Sequence, residues 1–280
     1  MKLRFGLLGE GIGHSRQPQL LRYLARKAGL GLSYELLDRR DNSLFDIDAE
    51  LASLREAGFH GINVTHPFKQ RIAPLVTRDE TPAESLIGTY NTLRFDEGGI
   101  VGANTDYSGF KQGYRRQRGD ARPGSVLVCG AGGVGRAIAI GLAELGATEL
   151  LINDVVSHQS QALVDSLQKL GYSATGLSTD ELPAAMSRVN GLVNCTALGM
   201  VNHPGSAFPV AHIGGQEWAF DAVYTPLETE FLANCRRRDL DVISGFNLWL
   251  FQGLDTFRIF TGITVEADDE VINTAFCWQA

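Results

Sequence analysis

The 280-residue sequence predicts an α/β protein organised on parallel sheets. Three observations carry that expectation. Strand-like and helix-like runs alternate almost throughout. A GxGxxG turn lies between a strand-like run and a helix-like run. The length suits two hydrophobic cores of about 100–150 residues each. Hydrophobic residues make up 44% of the chain and charged residues 20%, the balance of a chain that buries a core.

The elements follow in order. Leu3 to Leu8 is a short apolar strand stopped at Gly9. Leu20, Leu21 and Leu24 fall at helical spacing in a helix from Pro18 to Ala28, which Gly29 closes. Ser33 to Leu37 reads as a strand, Ile47 to Ala57 as a helix closed by Gly58, and Gly61 to Thr65 as a strand stopped by Pro67. Arg115 to Gly124 carries four basic residues, two glycines and a proline, and is the expected interdomain connection. Ser125 to Cys129 is then a strand, Arg136 to Leu145 an alanine-rich helix and Glu149 to Ile152 a strand. Gln159 to Leu170 is a helix, and Gly191 to Cys195 and Trp218 to Val223 are strands. Two helices finish the chain, Leu248 to Phe260 and Asp268 to the end.

The formal charge of −7 argues against a nucleic-acid partner, because phosphate backbones need a clustered basic surface. An anionic ligand must therefore be drawn by a local site, unaided by the overall field. The four cysteines are widely spaced with no CxxC pair, so neither zinc nor a redox dithiol is expected, and Cys129 and Cys195 in apolar runs read as inert thiols. No signal-peptide pattern opens the chain and no apolar run reaches the roughly 20 residues of a membrane span; a cytoplasmic setting without membrane contact is expected.

Val126-Leu-Val-Cys129 runs into Gly130, Ala131, Gly132, Gly133, Val134 and Gly135, then a helix. That context gives the glycines their tasks: Gly130 for the tight turn, Gly132 for close approach of a pyrophosphate, Gly135 for helix–strand packing. The helix N-terminus offers free N–H groups and partial positive charge to phosphates. The next strand ends in Asp154, 19 positions beyond Gly135 (154 − 135), where an acid receives the adenosine ribose hydroxyls. An acid there repels a 2′-phosphate, and no Lys or Arg occurs from 154 to 168, so NAD is expected over NADP. The competing role for Asp154 is a helix N-cap.

Three polar clusters lie in the first hundred or so residues: Asn63, Thr65 and Lys69 around Pro67, then Asn91-Thr92, then Asn104 and Asp106. Asn63 and Thr65 share a strand face, as do Asn104 and Asp106 if that segment is extended. Loop capping would account for each cluster singly. A lysine placed just past a strand end, where open α/β sheets bind ligands, is harder to account for that way.

Gly61-x-Asn63-Val-Thr65-x-Pro67-x-Lys69, Asn91-Thr92, Gly102-x-Asn104-Thr-Asp106, Gly130-Ala-Gly-Gly-Val and Val223-Tyr224-x-Pro226-x-x-Thr229 together resemble the shikimate/quinate dehydrogenase family, in that family's order. Gly245 with Gln252 is similar to its final motif, so the resemblance spans essentially the whole chain. It implies a substrate domain of residues 1–107 plus 246–280, a Rossmann-type, doubly wound nucleotide domain of residues 108–245, and a cleft between them. It implies NAD-dependent oxidation of the 3-hydroxyl of shikimate or quinate, with Lys69 and Asp106 as the catalytic pair. Hydride departs from the ring carbon only as the hydroxyl proton leaves, which calls for a positioned acid–base pair. A free lysine holds its proton up to about pH 10.4, so Lys69 serves either as a base in a site that alters this or as a cation stabilising the alkoxide. Ser15, Gln17, Thr65, Asn91, Tyr224 and Gln252 are the implied substrate contacts, with Thr196, Met200, Val223 and Gly245 joining the glycine turn around the cofactor. Plain packing is the alternative for Tyr224, and an exposed helix position for Gln252.

The chain departs from the family pattern at four places, one of them Leu248 where a Met is common, a near-isosteric change of little consequence. Gln17 stands where a second Ser or Thr is usual, Tyr90 replaces a small apolar residue, and Asp154 stands in place of the usual NADP-binding Arg. Gln17 and Tyr90 make an amino- or deoxy-analogue of shikimate the alternative substrate. A ligand-sensing module of the same fold is a further alternative, against which the presence of both Lys69 and Asp106 argues. The assembly is expected to be a monomer or a homodimer.

Overall fold

A computed structural model of the chain describes residues 3–39, 45–69 and 71–278. The elements run β1 (Leu3–Gly9), α1 (Gln17–Lys27), β2 (Leu32–Asp38), α2 (Ile47–Glu56), β3 (Gly61–Val64), β4 (Arg78–Asp79), α3 (Pro82–Ile87), β5 (Thr92–Asp96), β6 (Gly99–Ala103) and α4 (Thr105–Arg118). They continue with β7 (Ser125–Cys129), α5 (Gly133–Glu144), β8 (Glu149–Asn153), α6 (Ser157–Lys169), β9 (Ala174–Leu177) and α7 (Leu182–Met186). Last come β10 (Gly191–Asn194), β11 (Trp218–Asp221), α8 (Glu230–Arg236), β12 (Asp241–Ile243), α9 (Gly245–Thr261) and α10 (Asp269–Cys277). Contacts divide the chain into two compact units, one of Met1–Thr105 with Leu250–Trp278 and one of Asp106–Trp249.

The first unit holds a six-stranded sheet in the order β2-β1-β3-β5-β6-β4. This sheet is mixed. β1 pairs in parallel with β2 and β3, but β5 runs antiparallel to both β3 and β6. Only Glu97 and Gly98 join β5 to β6, a link that allows a hairpin and is far too short for a parallel crossover. Leu8, Ile62, Val64, Phe68 and Leu93 form the middle of its core. The returning C-terminal segment belongs here because Phe260 of α9 stacks on Phe5 at 4.3 Å. Lys27 and Tyr23 of α1 both bond Glu270 in α10.

The second unit is a six-stranded, all-parallel sheet in the order β12-β11-β10-β7-β8-β9. The chain starts in the middle at β7, builds outward through β8 and β9, then returns to the other side of β7. That reversal defines a doubly wound sheet with its switch point between β7 and β10. Val126, Leu127 and Val128 are fully buried, as strands covered on both faces require.

The basic run Arg115 to Gly124 is not an interdomain connection. Its first residues are the last turn of α4, where positive side chains suit the helix C-terminus. Arg118 bonds Asp241 and Glu217, and Tyr114 donates to the Ala121 carbonyl, so the segment is fastened within the second unit. The chain passes from one unit to the other at Thr105/Asp106 instead. No helix among the described residues is long and apolar enough to cross a membrane.

Candidate active site

In the first unit, β1, β3 and β6 point one way and β5 runs against them. The residues following β1, β3 and β6 and those preceding β5 consequently gather at one end of the sheet. It is the carboxyl end of the parallel strands, where α/β sheets bind ligands. Ser15, Gln17, Thr65, Lys69, Asn91 and Thr105 all lie there. Main-chain bonds fix the arrangement: Thr65 N–H donates to Leu8 O at 2.9 Å, Val64 N–H to Asn91 O at 2.8 Å, and Tyr90 N–H to Lys69 O at 3.3 Å. Thr65 and Lys69 are half-buried. The extended segment expected to put Asn104 and Asp106 on one face is absent, because α4 begins at Thr105. Asp106 instead occupies the first turn of α4, 7% exposed, at the helix end that favours an anion.

A buried polar chain links the substrate-side residues. Tyr34 donates to Asn63 Oδ1 at 2.6 Å, and Asn63 Nδ2 donates to Asn91 O, Thr92 Oγ1 and Thr256 Oγ1. Asn91 Oδ1 accepts from the Thr105 N–H at 2.8 Å and from the Thr92 and Thr105 hydroxyls, which leaves its Nδ2 to address a ligand. Thr105 Oγ1 reaches Gln252 Oε1, and Gln252 Nε2 donates to Gln17 Oε1 at 2.9 Å. Networks of this kind hold their members in one geometry, as a binding site requires. Tyr34, Thr256 and the extent of this network were not legible in the sequence. Tyr90 turns away from the group: its phenol donates to Asp79, and its ring fills the space over Gly102 where a Cβ would sit.

In the second unit the glycine turn takes up the geometry its sequence predicts. Gly130 has φ +98°, and Gly135 passes so near that a Cβ on it would lie 1.9 Å from Gly130 O. A Cβ on Gly132 would meet nothing within 4 Å, and the α5 N-terminus has neither a side-chain cap nor an acid in its first turn. The cradle is open and its N–H groups are available, so these residues fit a pyrophosphate. Asp154 is no cap for α6, whose flanking residue is Val156. Its Oδ2 accepts the Ala131 N–H at 2.7 Å and its Oδ1 the Val156 N–H at 2.8 Å, which pins the turn to the end of β8.

The remaining nucleotide-side residues lie at the carboxyl ends of β10, β11 and β12. A Cβ on Gly130 would lie 3.0 Å from Thr196 N, and one on Gly245 would lie 2.4 Å from Val223 O, so both glycines permit close backbone contact. Met200 is 42% exposed on the loop after β10. Tyr224 stacks on Trp249 at 6.5 Å, and burial, then the Asp106 carboxylate, push its phenol upward.

Asp221, unremarked in the sequence, organises this end of the sheet. Fully buried, it accepts from Thr229 Oγ1 at 2.6 Å, Asn194 Nδ2 at 2.9 Å and Val223 N–H at 3.0 Å. It thereby joins the 194–200 and 223–229 loops; its signal in the sequence was a lone acid closing the apolar run Trp218-Ala-Phe. Burial raises its carboxyl from 3.8 to about 6 against the pull of those donors. The folded protein therefore keeps a proton between pH 4 and 6 that the unfolded chain has released. Stability from this group is present below about pH 4, falls as pH rises to about 6 and is level above, a change of about 3 kcal/mol. Urea unfolding from pH 4.5 to 7.5 is expected to show that slope in the wild type and a flatter one in Asp221→Asn. Equal slopes in the two proteins would exclude it.

Residues 7–93 match the shikimate dehydrogenase substrate binding domain family. The chain is 34% identical over 279 residues to a quinate/shikimate dehydrogenase (NAD(+)) of Corynebacterium efficiens, covering 97% of this chain and 96% of that one. It is 36% identical to a shikimate dehydrogenase (NADP(+)) of Streptomyces avermitilis, covering 92% and 89%. Among solved structures, quinate dehydrogenase from Corynebacterium glutamicum in complex with NAD superposes with a TM-score of 0.91 at 32% identity over 99% of both chains. With a substrate-side cluster, an open phosphate cradle and this full-length likeness, the chain belongs to the shikimate/quinate dehydrogenase family.

Proposed function

We propose that the protein is an NAD-dependent dehydrogenase that oxidises the 3-hydroxyl of shikimate or quinate to the 3-dehydro acid, reversibly. The observation that carries this reading is the gathering of Lys69, Thr65 and Asn91, with the Ser15–Gln17–Gln252 group, at the ligand-binding end of the first sheet. Residues 1–107 with 246–280 serve as the substrate domain and 108–245 as the nucleotide domain.

Lys69 and Asp106 act as the proton-transfer pair. As the C–H bond yields its hydride, Lys69 stabilises the charge developing on the substrate oxygen, and the hydroxyl proton passes to the pair and on to solvent. Ser15, Gln17, Thr65, Asn91, Tyr224 and Gln252 hold the carboxylate and ring hydroxyls so that one hydroxyl faces that pair. Gly130 to Gly135 receive the pyrophosphate on the first turn of α5, Asp154 takes the adenosine ribose, and Thr196, Met200, Val223 and Gly245 shape the nicotinamide end. Bound NAD supplies the hydride acceptor.

Asp154 supports NAD over NADP: its charge opposes a 2′-phosphate, and both its oxygens are already fastened to backbone N–H groups that keep it in place. Initial rates of NADH or NADPH formation with shikimate and quinate test the whole reading. The expected result is turnover of at least one acid, with kcat/KM for NAD on the order of tenfold or more above that for NADP. Preference for NADP would overturn the cofactor assignment, and no turnover of either acid would overturn the substrate assignment.

A further inference from the structure

Asn194, fully buried at the carboxyl end of β10, stands opposite the equally buried Asp221 at the end of β11. Two backbone groups fix which way its amide points. The Thr196 N–H can only donate, so the atom facing it at 3.0 Å is Oδ1. The Leu198 carbonyl can only accept, so the atom facing it at 2.9 Å is Nδ2. The second Nδ2 hydrogen then goes to Asp221 Oδ1 at 2.9 Å. The Thr196 hydroxyl gives its one proton to Asn194 Oδ1 at 2.7 Å and accepts the Leu198 N–H at 3.1 Å. On the other side of Asp221, Thr229 gives its proton to Oδ2 and accepts the Leu232 N–H at 3.2 Å. Each hydrogen is used once, and both carboxylate oxygens are occupied.

A buried carboxylate is tolerated only where donors surround it, and a framework with every proton placed holds its loop in one path. Gly199, at φ +105°, continues that path: a Cβ there would lie 3.2 Å from Thr229 Cγ2, so the loop lies against the residue that caps α8. Gly199 N–H donates to His203 O at 2.8 Å and His203 N–H to Met200 O at 2.9 Å, which closes the loop on itself. What this framework carries is not a core. Leu198 is 40% exposed, Met200 42% and Val201 73%. Large apolar side chains left exposed on a loop that buried polar groups hold still suit a surface made ready for a ligand.

We propose that Asp221 is a positioning residue for the cofactor: through Asn194 it sets the 194–200 loop, whose apolar edge receives the nicotinamide half. Asp221 and Asn194 act from beneath the loop, without touching the cofactor. Thr196 belongs to the same framework, since its hydroxyl proton is already committed inside the loop. The inference rests on the dehydrogenase reading above. In that reading Gly130 to Gly135 and Asp154 hold the pyrophosphate and the adenosine, so the Asp221 framework should matter to one half of the cofactor only.

Calorimetric titration of the cofactor-free protein with NADH and with ADP-ribose, which lacks the nicotinamide, tests it. The titrations are run at pH 7.5, where Asp221 is ionised, its carboxyl being raised to about 6. Asn194→Ala, which removes both donors, and Asp221→Ala are each expected to raise the Kd for NADH about 10-fold or more. Both should leave the Kd for ADP-ribose within about twofold of wild type. The double variant should lose little more than either alone, since one residue acts through the other. Asp221→Asn keeps an oxygen for Asn194 and the Val223 N–H, and should bind NADH within about threefold of wild type. An Asn194→Ala protein whose NADH Kd stays within about twofold of wild type overturns the proposal. So does an equal loss of NADH and ADP-ribose, the mark of a residue that only supports the fold, and so does an Asp221→Asn protein as weak as Asn194→Ala. If Asp221→Ala does not fold, Asn194→Ala and Asp221→Asn decide the matter. Those three outcomes leave the dehydrogenase reading standing, whereas a wild type that binds neither molecule would remove that reading and this inference with it.

Discussion

Replacing Lys69 with methionine is expected to lower kcat for the acid substrate by 10²–10⁴-fold, about 3–5 kcal/mol of transition-state stabilisation. Lys69 is half-buried at the end of the segment that follows β3, and its backbone carbonyl accepts from the Tyr90 N–H, a bond that methionine would keep. The variant should fold normally, which makes the kinetic loss interpretable. Because methionine keeps the length of the aliphatic stem and removes only the charge and protons, the KM for NAD should hold and the loss should fall on kcat. Asp106→Asn is expected to act in the same direction. The two losses combined should be much smaller than their product if the pair works as one unit. Initial rates of NADH formation for the two single variants and the double variant decide it. A Lys69→Met enzyme retaining more than about a tenth of wild-type kcat would remove Lys69 from the chemistry.

The nucleotide unit was more legible in the sequence than the substrate unit, for a physical reason. Glycine turns, strand-end acids and runs of consecutive apolar residues are local signals, and Gly130 to Gly135 and Asp154 can each be read from the residues beside them in the chain. The first unit depends on pairings distant in sequence. Its antiparallel β5–β6 hairpin is marked in the sequence only by Glu97-Gly98-Gly99, a turn signal that does not say which strands flank it or which neighbour they pair with. The helix α4 was split between a polar cluster at Asn104-Thr105-Asp106 and a supposed linker at Arg115 to Gly124. Its later polar residues, Gln112 and Arg115 to Gln117, are exposed, and composition alone does not distinguish such a face from a connection. Lys69, Asn91 and Gln252 were found by motif, but nothing local shows that Thr105 joins Asn91 to Gln252 across 147 positions. Nor does anything local show that the Tyr90 phenol is drawn to Asp79, 11 residues earlier on β4.

Alanine at Gly132 and alanine at Gly135 should fail in different ways, and the contrast tests whether the turn is built for a ligand or only for packing. At Gly135 the new Cβ would lie 1.9 Å from Gly130 O and 2.8 Å from Gly130 C, both backbone atoms. Gly130 cannot retreat, because its N–H is bonded to Asn153 O at 2.8 Å and Asp154 holds the adjoining Ala131 N–H. The clash must be relieved by shifting the start of α5, so Gly135→Ala is expected to lose about 1–3 kcal/mol of stability along with NAD binding. At Gly132 nothing in the protein opposes a Cβ, and φ −70° with ψ −167° is a conformation that alanine adopts freely. Gly132→Ala should therefore unfold at the wild-type temperature in the absence of cofactor. With NAD present, the wild type gains stability as RT ln(1 + [NAD]/Kd), and the variant should gain little, because the methyl group occupies the space a phosphate must enter. A Gly132→Ala protein stabilised by NAD as strongly as wild type would show that the open cradle is not where the pyrophosphate rests.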